Sequence, residues 1–261
     1  MADPREGLEQ DGTIRTGASV HRIPERFRPV LTAAVSAIGA AAPNASVYAY
    51  GSVTTGQATS PYSDVDLLAI GLDAATASHI AAMQSARVRD LCRGVEVAAA
   101  SASDFDGESD EAYGGRVFLH HYCVHLAGLD LDRARAAFPG DRRAARGFNG
   151  DIDRHMRRWR READIEDPVE LGRRMARKTL LAVAGLVSVH DTTWTTDRQP
   201  AARRWSEVQP ELEPGLERLL TWSSGTRSAD RDVLQLELDS VVGPVARQFA
   251  GNIGLWPADP T

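Results

Sequence analysis

Asp64 and Asp66 lie two residues apart in the segment Ser63-Asp-Val-Asp-Leu-Leu-Ala-Ile70. On an extended strand that spacing projects both carboxylates from one face and sends Val65 and Leu67 to the other. Side by side, two carboxylates repel and make a poor strand unless a cation lies between them. A hard divalent ion such as Mg²⁺ suits them, because it takes oxygen ligands and leaves positions open for substrate phosphates. A dozen residues upstream, Gly51-Ser52 interrupts the run Ala45-Ser-Val-Tyr-Ala-Tyr50. A glycine there lets phosphate oxygens approach the backbone, and a short helix opening at Ser52 would add N–H and hydroxyl donors. An isolated Asp-x-Asp reads as a solvated strand end; the Gly-Ser placed before it turns the pair toward chemistry.

Elements that could hold these residues are readable around them. Phe27, Val30, Leu31, Val35 and Ile38 recur at helical spacing, and the pattern stops near Pro43-Asn44. Residues 45–50 and 64–70 read as strands around a polar loop, residues 74–92 as a helix, and Gly94-Val-Glu-Val-Ala-Ala-Ala100 as a third strand. Beyond residue 115 the strand signal fades. Helices are expected over 115–128, 149–163, 168–189, 197–208, 211–223 and 230–250, punctuated by Pro139-Gly140, Asn149-Gly150, Pro168, Pro210, Pro214 and Ser223-Ser-Gly225. The expected fold is α+β. A loose arm over residues 1–22 precedes a small mixed sheet with helices over 23–140, and an all-helical domain occupies 141–261.

With these elements in place, the pattern Gly51-Ser52 … Ser63-Asp64-Val-Asp66-Leu resembles the signature of the DNA polymerase β-like nucleotidyltransferase superfamily. The resemblance covers about fifty residues and implies a Gly-Ser element for a triphosphate, to which Gly51, Ser52 and Ser63 are assigned. It implies two metal-binding aspartates, Asp64 and Asp66, with two Mg²⁺ ions. It also implies a third carboxylate on a neighbouring strand, where Glu96 stands in Gly94-Val-Glu-Val-Ala. In layout the chain is most similar to the aminoglycoside (3″)(9) adenylyltransferases, which join such a domain to a helical one. That similarity gives Glu96 the role of base on the acceptor hydroxyl, with third metal ligand as the competing assignment. In the helical domain it assigns nucleotide phosphates to Lys178 and Arg198, with Arg177 in reserve. The loop after the helix lacks the Lys often found there in the adenylyltransferases.

The activity implied is Mg²⁺-dependent transfer of an NMP, AMP foremost, from ATP or another NTP to a hydroxyl of a small acceptor resembling an aminoglycoside. Pyrophosphate leaves, and antibiotic resistance is the implied setting. One rival keeps the chemistry but changes the acceptor to tRNA or protein, with Arg154, Arg157, Arg158, Arg160 and Arg161 as its basic approach. A second rival is a nucleotide-binding regulator without catalysis.

Composition bounds these readings. The 261 residues are 43% apolar and 25% charged with a net charge of −6, an ordinary globular balance that argues against a protein coating nucleic acid. No window approaches about eighteen consecutive apolar residues, so no membrane span is expected. The polar N-terminus lacks the apolar core of a signal peptide, and two cysteines in unlike contexts make no disulfide framework. A reducing cytoplasm is the expected location. Of 30 basic residues 29 are Arg, as expected for a GC-rich genome, and the single Lys is Lys178. The acidic run from Asp104 to Glu111 reads as a solvated loop. His120 and His121 read as packing residues, and Trp159, Trp194, Trp205 and Trp222 as core.

Overall fold

The computed structural model describes residues 3–132, 135–225 and 229–257. The chain divides into two compact units, Met1–Phe138 and Pro139–Thr261.

In the first unit, α1 (Arg28–Ala41) buries Val30, Leu31, Ala34 and Ile38, the face marked by their helical spacing. The sheet that follows contains β3 (Ser46–Tyr50), β4 (Val65–Ile70), β5 (Val95–Ala100) and β6 (Val124–Ala127), in the order β5-β4-β3-β6. β3 runs antiparallel to β4 and β6, whereas β4 and β5 are parallel. A parallel pair needs a crossover, which α3 (Ala74–Arg87) supplies. Asp73 starts that helix by accepting a hydrogen bond from the Thr76 N–H at 2.9 Å. Val47, Ala49, Val65, Leu67 and Ala69 join α1 and α3 residues in the main core. Tyr48, Leu68 and Ile70, from the opposite sheet face, pack with Phe105 and with Leu119 of α4 (Asp110–Tyr122).

Two parts of this unit depart from the sequence reading. The helix expected over 115–128 ends at Tyr122, and Val124–Ala127 leaves it as an edge strand beside β3. Residues 3–22, expected as a loose arm, carry a hairpin of β1 (Gly7–Leu8) and β2 (Ile14–Arg15). Ile14 is buried and donates its N–H to Phe138 O at 2.9 Å, and the Tyr122 hydroxyl donates to Glu6 Oε1 at 2.6 Å. Neither segment has a local apolar period; both owe their shape to distant partners.

The second unit is helical and centres on α7 (Pro168–His190). Asp167 caps this helix, accepting from the Val169 and Glu170 N–H groups, and Pro168 occupies its first turn. The other helices are α5 (Arg142–Asn149), α6 (Ile152–Glu162), α8 (Arg198–Val208), α9 (Glu213–Ser224), α10 (Arg231–Glu237) and α11 (Gly243–Asn252). Of these, α5 was not anticipated; it forms as a short, arginine-rich helix whose Ala144 and Ala145 are buried. α5, α6, α8, α9 and α11 pack on α7, where Leu171, Met175, Leu180, Val183 and Leu186 are buried. Trp159, Trp194, Trp205 and Trp222 are all buried in this unit. No helix among the described residues is long and apolar enough to cross a membrane.

Candidate active site

Strand register assembles the central feature of the first unit. Tyr50 on β3 lies directly opposite Asp66 on β4, and Asp66 lies directly beside Glu96 on β5. Direct partners share a face, so Tyr50, Asp66 and Glu96 form one row across three strands. Farther along the same face the rows become apolar (Tyr48 with Leu68, then Ile70), so the carboxylates stand where the apolar cover gives out. Burial raises the Tyr50 phenol's pKa, and the neighbouring charges of Asp66 and Glu96 raise it further. Its ring meets Phe118 edge to face at 5.1 Å.

The Gly51-Ser52 turn closes against this row. Gly51 has φ of +76°, and a Cβ built on it would stand 2.5 Å from Asp66 Oδ2. Only glycine lets the backbone pass this close to the carboxylate. Ser52 then opens α2 (Ser52–Thr55), a single turn ended by Gly56 in the left-handed region. Ser63 closes the neighbouring loop, its hydroxyl accepting from the Thr59 N–H at 2.9 Å.

Asp64 differs from the strand reading. It precedes the first residue of β4, and Arg93 holds its carboxylate through Nε to Oδ1 at 2.9 Å and through Nη2 to Oδ2. Arg93 was absent from the sequence reading. Its signal was its place next to Gly94 at the start of the strand parallel to β4, where a paired acidic motif needs a counter-charge. The hydrogen bonds that Arg93 donates to Asp64, followed by the charges of Asp64, Glu96 and Asp66, raise the Arg93 pKa.

The fit of a divalent ion rests on chemistry and register. The donors are all carboxylate oxygens, Asp66 and Glu96 are neighbours on one face, and Gly51, lacking a Cβ, comes up against the Asp66 carboxylate. Among the described residues no three His, Cys, Asp or Glu side chains stand close enough together to hold a metal as they are. Asp64 is held by Arg93.

In the second unit, Lys178 Nζ pairs with Asp151 Oδ1 at 2.6 Å and donates to Phe148 O at 3.0 Å. Asp151 Oδ2 also lies 3.0 Å from His155 Nε2. Burial opposes ionisation of Asp151, but the contacts with His155 and Lys178 prevail and hold its pKa below the usual carboxylate value. Arg198 is brought beside Arg177: burial lowers its pKa first, and the Arg177 charge lowers it further. The Arg198 Nε is buried with no hydrogen-bond partner among the described residues, while Arg177 Nε reaches Ser223 O at 3.5 Å. The Asp197 charge acts in the opposite direction, and the two guanidinium charges felt at Arg198 suit an anion.

Most members of the other clusters make contacts within their own unit. Arg157 pairs with Asp153, Arg158 with Glu162 and Arg160 with Asp239. Arg154 reaches Pro257 O and lies over the Trp256 ring. His120 pairs with Asp132, and His121 Nε2 accepts from the Phe138 N–H.

The fold on which these residues stand is α+β, a small mixed sheet with helices followed by a helical unit. No family model matches the chain, and no curated protein matches its sequence. Among solved structures it is similar to a spectinomycin adenyltransferase, AAD(9) from Enterococcus faecialis, crystallised with ATP and spectinomycin. The identity is 11%, covering 88% of this chain and 97% of that one, with a TM-score of 0.48.

Proposed function

We propose that this chain is a Mg²⁺-dependent nucleotidyltransferase that moves an NMP, AMP foremost, from an NTP to a hydroxyl of a small, aminated acceptor. The observation that carries the reading is the placement of Asp66 beside Glu96 on one face, with Gly51 closed against the Asp66 carboxylate. In this reading Asp64 and Asp66 hold the metal, with Glu96 as third ligand or base. Held at these carboxylates, Mg²⁺ would neutralise charge on the triphosphate and lower the cost of ionising the acceptor hydroxyl.

The chain's own groups do the rest. Gly51 admits a phosphate oxygen to the backbone, and the Ser52 and Ser63 region lies along the same loop. As base, Glu96 takes the proton of the attacking hydroxyl; it is exposed at the end of the row, where an acceptor can reach it. Attack on the α-phosphorus releases pyrophosphate. In the second unit, nucleotide phosphate is assigned to Lys178 and Arg198, with Arg177 in reserve.

Incubation with Mg²⁺ and each labelled NTP, with an aminoglycoside panel or bulk tRNA, tests the reading. Label transfer to an aminoglycoside supports it, and transfer to tRNA moves the acceptor to nucleic acid. Nucleotide binding without any transfer leaves a regulator. Asp66→Asn is expected to reduce metal-dependent transfer about 10²- to 10³-fold, by analogy with loss of a principal electrostatic group. Full activity in that variant overturns the mechanism.

A further inference from the structure

We propose that Arg93 is a built-in counter-ion of Asp64 that a divalent metal must displace, so that metal and triphosphate bind this protein cooperatively. The inference rests on the nucleotidyltransferase reading and adds to it a residue that sets the order in which the site fills.

The geometry is a two-point clamp. Arg93 Nε and Nη2 each take one oxygen of Asp64, the bidentate arrangement in which a guanidinium holds a carboxylate best. The Asp64 side chain is only 11% exposed, whereas that of Arg93 is 60% exposed. The guanidinium thus lies on the solvent side of a carboxylate that is otherwise nearly enclosed. Backbone hydrogen bonds place it there. The Arg93 N–H donates to Ser63 O at 3.1 Å and the Val65 N–H donates to Gly94 O at 2.9 Å, so the two chain segments are tied on either side of Asp64. Arg93 is therefore aimed at Asp64 by the same parallel pairing that brings Asp66 beside Glu96.

Electrostatics then sets the linkage. A divalent ion bound to Asp64 would stand against the guanidinium, two like charges competing for the same oxygens. Metal alone must break the clamp and leave Arg93 without its carboxylate. A triphosphate offers Arg93 a replacement, because phosphate oxygens accept the same forked donors. Each ligand therefore lowers the cost of binding the other, and the coupling is reciprocal.

The test uses the full-length protein, Mn²⁺ as the metal probe and α,β-methylene ATP as a nucleotide that cannot react. Mn²⁺ binding is followed by calorimetry with and without the analogue. In the natural protein, Mn²⁺ alone is expected to bind weakly and the analogue to tighten it. Arg93→Gln is expected to bind Mn²⁺ alone at least about tenfold more tightly, equivalent to ~1.4 kcal/mol, and to lose the analogue's enhancement by a similar factor. Arg93→Lys keeps the charge without the fork and is expected to fall between the two. Equal Mn²⁺ affinity in the natural protein and Arg93→Gln, with the enhancement intact, overturns the proposal while leaving the metal reading in place. If the folded proteins bind no Mn²⁺ with or without the analogue, the metal reading itself fails, and this inference with it.

Discussion

Lys178 has a structural partner as well as a proposed ligand. Its ammonium neutralises Asp151, whose side chain is 16% exposed, whereas Arg174 is 45% exposed and reaches Glu166 at 3.3 Å. Removing the first cation leaves a mostly enclosed carboxylate with His155 as its remaining partner; removing the second breaks a solvated pair. Lys178→Ala is therefore expected to lower stability by about 1–3 kcal/mol, and Arg174→Ala by about 0–1 kcal/mol. Urea unfolding of the two variants checks this, and Asp151→Asn added to Lys178→Ala is expected to recover part of the loss. The phosphate role makes a separate demand: KM for the NTP rises in Lys178→Ala and not in Arg174→Ala. Of the proposed site residues, Asp64, Asp66 and the Gly-Ser turn were legible because their spacing is local. Arg93 was not, because it meets Asp64 across 29 residues and only strand register brings them together.

The Gly51 turn and the end of α4 each make a prediction at the level of elements. A methyl group on Gly51 meets Asp66 Oδ2 and sits on a backbone of positive φ. Gly51→Ala is expected to cost about 1–3 kcal/mol in urea unfolding, from the backbone conformation alone, and to depress metal-dependent transfer by displacing Asp66. At the end of α4, burial, and secondarily His120, lower the His121 pKa from 6.5 to about 4. The folded protein thus holds His121 neutral, accepting from the Phe138 N–H, while the unfolded chain protonates it near the ordinary value. Its contribution is complete above about pH 6.5 and is lost as pH falls toward 4, a range worth on the order of 3 kcal/mol. Thermal unfolding from pH 7 to 4 is expected to fall less steeply in His121→Gln than in the natural protein. An unchanged slope would assign the acid sensitivity to other groups. The central strands and α1 were readable from alternation and helical period. β6 and the β1–β2 hairpin were not, because two- and four-residue strands carry too little pattern and exist through their pairing.

At the scale of the whole molecule, each unit has its own core, one built on a sheet and one on α7. A charge of −6 spread over a chain whose cations are nearly all Arg leaves one primary side-chain amine in the whole protein. That amine sits within α7, between the buried Ala176 and Thr179 and paired with Asp151. A lysine-specific protease therefore has a single cleavage site, and cleavage there requires the central helix of the second unit to unwind. Digestion is expected to yield two fragments, at a rate that rises with urea in step with the opening of α7. Lys178→Arg abolishes the cut. The composition of this chain thus supplies a probe that watches one helix, with no label added.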